Sequence, residues 1–257
     1  MSEAVIYTCI TGGYDTLRQP LHVDPGFDYV CFVESGKEVE GHVGVWELRA
    51  LPPLGDLSAL AISRWPKLNP HLALPEYRYS VWIDGNITVA DAAFYDLIRE
   101  KMASGTLLSA IKHPFRDDVY EEAYRCLAYD KETFGNLMRV VSFLRKSGYP
   151  KHAGLFENGV LLRLSADPSV VAADELWWKL FLEYSCRDQL TSGYSFRSSG
   201  LVPNLLLPEG MSVRNHPFFV YERHEPAEKS RSSLLVRKFR DACRELKKLA
   251  FRLLNTL

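Results

Sequence analysis

The stretch that most constrains this chain is Tyr79 to Val89, Y-S-V-W-I-D-G-N-I-T-V. Val81, Trp82 and Ile83 form an apolar run too short for a helix and rich in strand-forming side chains. The run stops abruptly at Asp84-Gly85-Asn86, where a carboxylate and an amide flank a glycine. A buried strand that delivers oxygen-bearing side chains to its carboxyl end is the way an α/β sheet builds a site, because ligands bind in the crevice those ends open. Two hard oxygen donors one residue apart suit Mg²⁺ or Mn²⁺ held against phosphates. Asp-Gly-Asn is equally good turn chemistry, and taken alone these three residues favour the turn.

The remainder of the chain bounds the alternatives. Its 257 residues suffice for one large domain or two small ones, and 47% hydrophobic residues provide for a sizeable core. The start, M-S-E-A-V-I-Y, has no basic segment and runs straight into a strand pattern, so no signal peptide is expected. No apolar run is long enough to span a bilayer. Five cysteines, Cys9, Cys31, Cys126, Cys186 and Cys243, are scattered without metal-ligand spacing, which suggests a reducing cytoplasm. The net charge of −1 conceals an asymmetry: Lys229 onward carries nine Lys/Arg against Asp241 and Glu245, about +7, leaving about −8 for residues 1–228. An acidic body argues against nucleic acid as a partner.

Strand patterns occupy Val5–Ile10, Tyr29–Val33, Val43–Leu48, Thr106–Ile111 and Val160–Leu164. Helix patterns occupy Asp56–Ser63, Asp91–Met102, Asp117–Asp130, Thr133–Lys146 and Pro168–Tyr184. Strands followed by alternating helices and strands predict an α/β sheet. Thr11-Gly12-Gly13-Tyr14 leaves the first strand, and its adjacent glycines allow a sharp turn or a close approach to a ligand. It is not the G-x-G-x-x-G of dinucleotide sites. Pro66 is expected to end or kink the first helix, placing Arg64 and Lys67 near its C-terminus. There they either complement the helix dipole or reach a diphosphate. Gly154 to Gly159 reads as a loop, and so does Ser195–Pro208. Trp177-Trp178 suits core packing, with a cleft-edge role for one ring as the alternative. Asp188 is open to reading as a helix cap or as a general base, and His216 as a core residue or as a metal ligand.

From Leu235 the residues Phe239, Ala242, Leu246, Leu249 and Leu253 form an apolar seam between basic faces. Such a basic amphipathic helix suits either an anionic membrane surface or docking on protein. Residues 1–228 therefore read as the domain and 229–257 as its tail.

Seven blocks then occur in order: Y-T-C-I-T-G-G-Y-D, Y-V-C-F-V-E, R-W-P-K-L-N-P-H, S-V-W-I-D-G-N-I, G-L-F-E-N, W-W and R-D-Q-L. Over residues 5 to about 220 the chain resembles the glycosyltransferase-like family, once a domain of unknown function, found in plant mucilage and turgor proteins and in bacteria. The resemblance implies a GT-A-type fold, a Rossmann-like mixed sheet flanked by helices that binds a nucleoside-diphosphate sugar, often with Mn²⁺ or Mg²⁺. It implies that Asp84 and Asn86 replace the acidic D-x-D pair, with Asn86 as the neutral departure, and that His216 completes the metal set. Thr11, Gly12 and Tyr14 are then expected to line the nucleotide, and Arg64 and Lys67 to grip the diphosphate. Asp188 is expected near the acceptor as the catalytic residue, and Arg125 and Glu157 as further donor or acceptor contacts. The implied activity is sugar transfer to a glycan or lipid-linked acceptor in bacterial cell-surface polysaccharide synthesis, in the cytoplasm or peripherally at the inner membrane face. The alternative is a non-catalytic nucleotide- or glycan-binding scaffold with a degenerate site.

Overall fold

The structure is a computed structural model; it describes residues 2–13, 16–34, 41–184, 187–222, 245–246 and 248–251. In chain order the elements are β1 (Ala4–Ile10), β2 (Asp28–Val33), β3 (His42–Val43), β4 (Trp46–Ala50), α1 (Ala59–Leu68), α2 (Pro70–Ala73), β5 (Tyr79–Ile83) and β6 (Ile87–Val89). There follow α3 (Ala93–Ala103), β7 (Leu108–Lys112), α4 (Val119–Ala128), α5 (Phe134–Lys146), β8 (Phe156–Leu164), α6 (Pro168–Glu183), α7 (Gln189–Ser198), β9 (Asn204–Leu205) and β10 (Phe219–Tyr221).

One sheet runs in the order β3-β4-β2-β1-β5-β8-β7-β9. Strands β4, β2, β1 and β5 are mutually parallel, and β8 is inserted antiparallel between β5 and β7. A separate ribbon pairs β6 with β10. The chain is thus the α/β sheet that its pattern predicts, in the mixed form flanked by helices that the family resemblance implies. Strands buried on both faces explain why β1, β2 and β5 read as near-continuous apolar runs.

Side chains alternate between two cores. Ile6, Tyr29, Val81 and Ile83 pack on one face with Phe94 and Ile98 of α3 and with Phe219. Tyr7, Val30, Trp82 and Leu161 pack on the other with Ala61 of α1, Trp177 of α6 and Phe196 of α7. A third cluster joins Val119 and Cys126 of α4 to Leu137 and Val141 of α5 and Leu190 of α7.

Several local expectations are corrected. Val43–Leu48 is a hairpin, not one strand: Gly44, at φ +61°, turns the chain against Gln19, where a Cβ would stand 2.1 Å from Oε1. The first helix begins later, capped by Ser58, whose Oγ accepts from the Ala61 N–H. It also passes through Pro66 rather than ending there. The missing proline N–H costs one bond, but Asn69 N–H still reaches the Trp65 carbonyl, and Lys67 and Leu68 are held by burial. Residues 156–159, expected as loop, are strand. α7 runs into the segment expected as loop: between its buried ends, Leu190 and Phe196, the buried positions Thr191, Ser192 and Ser195 are polar and break the apolar stripe.

Most of the basic tail lies outside the described residues. Within residues 245–251, Phe251 is 3% exposed and packs on Tyr124 and Phe134, while the seam residues Leu246 and Leu249 are 67% and 55% exposed. Among the described residues no helix is long and apolar enough to cross a membrane.

Candidate active site

Asp84 leaves the buried end of β5. Its N–H donates to the Gly159 carbonyl at 2.8 Å, and its own carbonyl accepts from Ile87 N–H at 2.9 Å. Asp84-Gly85-Asn86 is therefore a tight turn that also delivers a carboxylate to the sheet edge, so the two sequence readings are compatible. The β7–β8 register passes from Ala110 opposite Leu161 to Ile111 opposite Glu157, and residues 158–160 bulge toward this turn. A Cβ on Gly159 would come within 3.4 Å of Asp84 Oδ2, so the close approach suits glycine.

Asp84 Oδ1 accepts from Trp82 Nε1 at 2.8 Å and from Lys67 Nζ at 3.2 Å. Lys67 is only 1% exposed, and its Nζ lies 5.5 Å from the centre of the Trp82 ring. The same ammonium donates to Asp188 Oδ2 at 2.6 Å. Asp188 sits where its other oxygen caps α7 through Gln189 N–H at 2.9 Å, and its carbonyl accepts from Trp177 Nε1 at 2.8 Å. Burial pushes the Asp188 carboxyl up, but the charges of Lys67, Arg64 and Arg187 outweigh it and hold the group well below the ordinary carboxylate range. Arg64, one turn before Lys67 on α1, is half-buried and close enough for its charge to reach both Asp188 and Cys9 at the end of β1.

Two of the expected site residues meet in this arrangement. Lys67 joins the two carboxylates from the buried side. Asp188 has one oxygen on Lys67 and the other on the Gln189 N–H, so it serves both as a helix cap and as an ion-pair partner.

On the other face of the sheet a narrow cleft with about 20 Å³ of free volume lies between β1, β5 and β6, lined by Thr8, Leu17, Arg18, Trp46, Asp84 and Thr88 among others. Thr8 Oγ1 is buried there without a hydrogen-bond partner. Trp46 Nε1 donates to the Arg18 carbonyl at 2.7 Å, and the Arg18 guanidinium pairs with Glu222. Thr11 is half-buried at the end of β1, and the Gly12 N–H is taken by Glu34 Oε1 at 2.9 Å. Tyr14 lies outside the described residues.

The remaining candidates are dispersed. Asn86 is buried and its Nδ2 donates to the Glu222 carbonyl at 2.8 Å. His216 is not beside it: Phe219 pairs with Val89 and Tyr221 with Ile87, so the chain enters β10 from the His216 side at the Val89 end of β6 and leaves it toward Glu222 at the Ile87 end. Three strand residues put about 10 Å between those ends. His216 Nδ1 accepts from Phe218 N–H at 3.3 Å and its ring packs on Phe218; burial pulls its imidazole down, with Asp91 opposing. Arg125 is exposed on α4, whose buried face belongs to the third cluster. Glu157 is mostly buried, which pushes its carboxyl up; the Arg214 guanidinium, 2.7 Å away, opposes that rise and lies over Tyr221. Trp82 and Arg214 are contributors that the sequence reading left without a site role, and Trp177, read as core or cleft edge, packs in the core and donates to the Asp188 carbonyl. Trp82 stood inside a recognised block, while nothing marked Arg214.

The donor set does not fit a divalent metal. Asp84 already carries an ammonium, the Asn86 amide is turned to Glu222, and His216 is at the far end of β6. Among the described residues no group of three or more His, Cys, Asp or Glu could hold an ion.

A mixed sheet whose parallel strands end at a carboxylate–ammonium–carboxylate cluster, beside a narrow cleft, has the layout of a ligand-binding α/β domain. The chain belongs to the TOD1/MUCI70 glycosyltransferase-like family, whose model matches residues 1–198. It is 23% identical over 209 residues to the probable hexosyltransferase MUCI70 of Arabidopsis thaliana, an alignment covering 73% of this chain and 36% of that protein. The chain thus spans about a third of that relative's length. Among solved structures, it is similar to the galactosyltransferase LgtC in complex with donor and acceptor sugar analogues, with TM-score 0.44 and 12% identity over 74% of this chain and 69% of that one. It is likewise similar to the apo bifunctional glycosyltransferase WbbM, with TM-score 0.43 and 10% identity over 75% of this chain and 37% of that one.

Proposed function

We propose that this protein is a GT-A-type glycosyltransferase that moves a hexosyl or related sugar from a nucleoside diphosphate to a glycan or lipid-linked acceptor. The observation that carries the reading is Asp84, delivered by β5 to the carboxyl edge of the sheet in a chain of a glycosyltransferase-like family. The nucleoside is assigned to the edge beside it, where the buried Thr8 hydroxyl has no partner and the Trp46 ring stands close. Arg64 suits the diphosphate, whose negative charge grows as the sugar departs. Asp188 and Trp177 hold Lys67 and the start of α7 in place. The acceptor hydroxyl approaches from the side of Glu157 and Arg214.

Its place in the cell follows from the same reading. A cytoplasmic enzyme of bacterial surface-polysaccharide synthesis, working at the inner membrane face, would use a basic terminal segment to stay near anionic lipid.

The decisive experiment offers a panel of nucleoside-diphosphate sugars to the purified chain and measures released nucleoside diphosphate. Release from one donor, reduced about 100-fold or more in Asp84→Ala, is expected. Binding of a nucleotide sugar with no release or transfer in the presence of candidate acceptors would instead make the chain a nucleotide-sugar-binding scaffold.

A further inference from the structure

We infer that Lys67 is the resident cation of this site, standing where a divalent metal would otherwise bridge the carboxylates, so that a nucleoside diphosphate binds here without a metal. The choice of ligand rests on the transferase reading; the choice of cation rests on geometry alone.

Lys67 Nζ lies 2.6 Å from Asp188 Oδ2 and 3.2 Å from Asp84 Oδ1, bridging carboxylates that come from the ends of two different elements. That is the position an ion shared by the two carboxylates would take. A Mg²⁺ ion asks for an octahedron of oxygens at about 2.0–2.1 Å. It would have to displace the ammonium or sit against it, with like charges in near contact. Displacement is blocked because the lysine side chain is 2% exposed. Its helix turn is also fixed: Pro66 and Leu68 on either side are buried, and the Lys67 carbonyl accepts from Arg163 Nη1 at 2.7 Å. The Trp82 ring closes a further side at 5.5 Å.

The ligands that could compensate are turned elsewhere. The Asn86 amide is committed to Glu222, and His216 stands at the other end of the β6–β10 ribbon. The cluster also needs no further positive charge. Lys67, Arg64 and Arg187 already outnumber Asp84 and Asp188, which leaves a site that does not recruit a divalent ion strongly and does not repel a phosphate. Lys67 acts here as a positioning residue: it fixes Asp84 and Asp188, and the phosphate contact falls to the more accessible Arg64.

Mn²⁺ alone, titrated into the full chain and followed by its electron paramagnetic resonance signal, tests the cation directly. Wild type is expected to leave the free-ion signal unchanged at this site. Lys67→Ala is expected to gain one Mn²⁺ site, and Lys67→Ala/Asp84→Asn to lose it again. In parallel, the affinity of wild type for a panel of nucleoside diphosphates should agree within about two-fold between chelator and excess Mn²⁺. Stoichiometric Mn²⁺ binding by wild type that Asp84→Asn removes would overturn the inference, and this comparison holds even if Lys67→Ala fails to fold. Failure of every nucleoside diphosphate to bind would overturn the transferase reading instead, with the Mn²⁺ titration still deciding the cation.

Discussion

The ammonium of Lys67 and the carboxylate of Asp188 lie 2.6 Å apart although 121 positions separate them in the chain. The lysine comes from the last turn of α1 and the aspartate from the cap of α7, and the two meet only because both helices pack on the face of the sheet that carries Trp82. Together with the Lys67–Asp84 contact at 3.2 Å, this bond ties the strand that delivers Asp84 to the last helix within the family match.

Removing the cation leaves two carboxylates close together and poorly solvated. Lys67→Met is therefore expected to lower stability by about 3 kcal/mol, read from urea midpoints. Lys67→Met/Asp188→Asn should cost less than the two single changes added together, with a coupling of about 1 kcal/mol or more. Strict additivity would mean that the contact contributes nothing.

Acid should expose the Asp188 interaction. Its carboxyl is held below its ordinary value in the folded chain, so between that value and about pH 4 the unfolded chain binds more protons than the native one. The stability it contributes is fully present above about pH 4 and is lost as pH falls through the depressed value. Asp188→Asn should therefore flatten the acid limb of a stability–pH profile while leaving the interval from pH 5 to 8 nearly level. An unchanged acid limb in the variant would show that other carboxylates set it.

Three thiols should be silent. Cys9, Cys31 and Cys126 are buried, and burial pushes their thiols up, to about 12 for Cys31 and about 11 for Cys126. Native protein at pH 8 should resist a disulfide reagent at all three, and all five should react in urea. Rapid native labelling at Cys9, mapped by mass spectrometry, would contradict the packing of β1.

The terminal segment makes two separable predictions. Phe251→Ala should free it from Tyr124 and Phe134, seen as faster tryptic cleavage after residue 228 with the body's thermal midpoint almost unchanged. Deleting residues 229–257 should abolish binding to anionic liposomes, since Leu246 and Leu249 face outward beside the basic residues. Equal liposome binding by the truncated chain would assign the segment to protein docking.

The parts legible in the chain alone were those carried by short-range patterns. Apolar runs bounded by polar turns located β1, β2 and β5, and the span Thr133–Lys146 framed α5 almost to the residue. Asp84 stood out because a carboxylate at the end of a buried run is a local event, and the ordered motif blocks identified the family. α7 escaped because three of its five buried side chains are hydroxyls, and Pro66 misled because its missing hydrogen bond is one contribution among many in a packed helix.

Tertiary structure alone decided which charges meet. Lys67 and Asp188 each read as solitary residues, one for phosphate and one for a proton, and the fold pairs them with each other. Asn86 and His216 looked like members of one metal set, but the β6–β10 register sends them to opposite ends of a ribbon. The physical reason is range. Hydrophobic periodicity and turn chemistry act over a few residues and are written in order along the chain. An ion pair depends on two backbones arriving within 3 Å, which only the packing of distant elements can arrange.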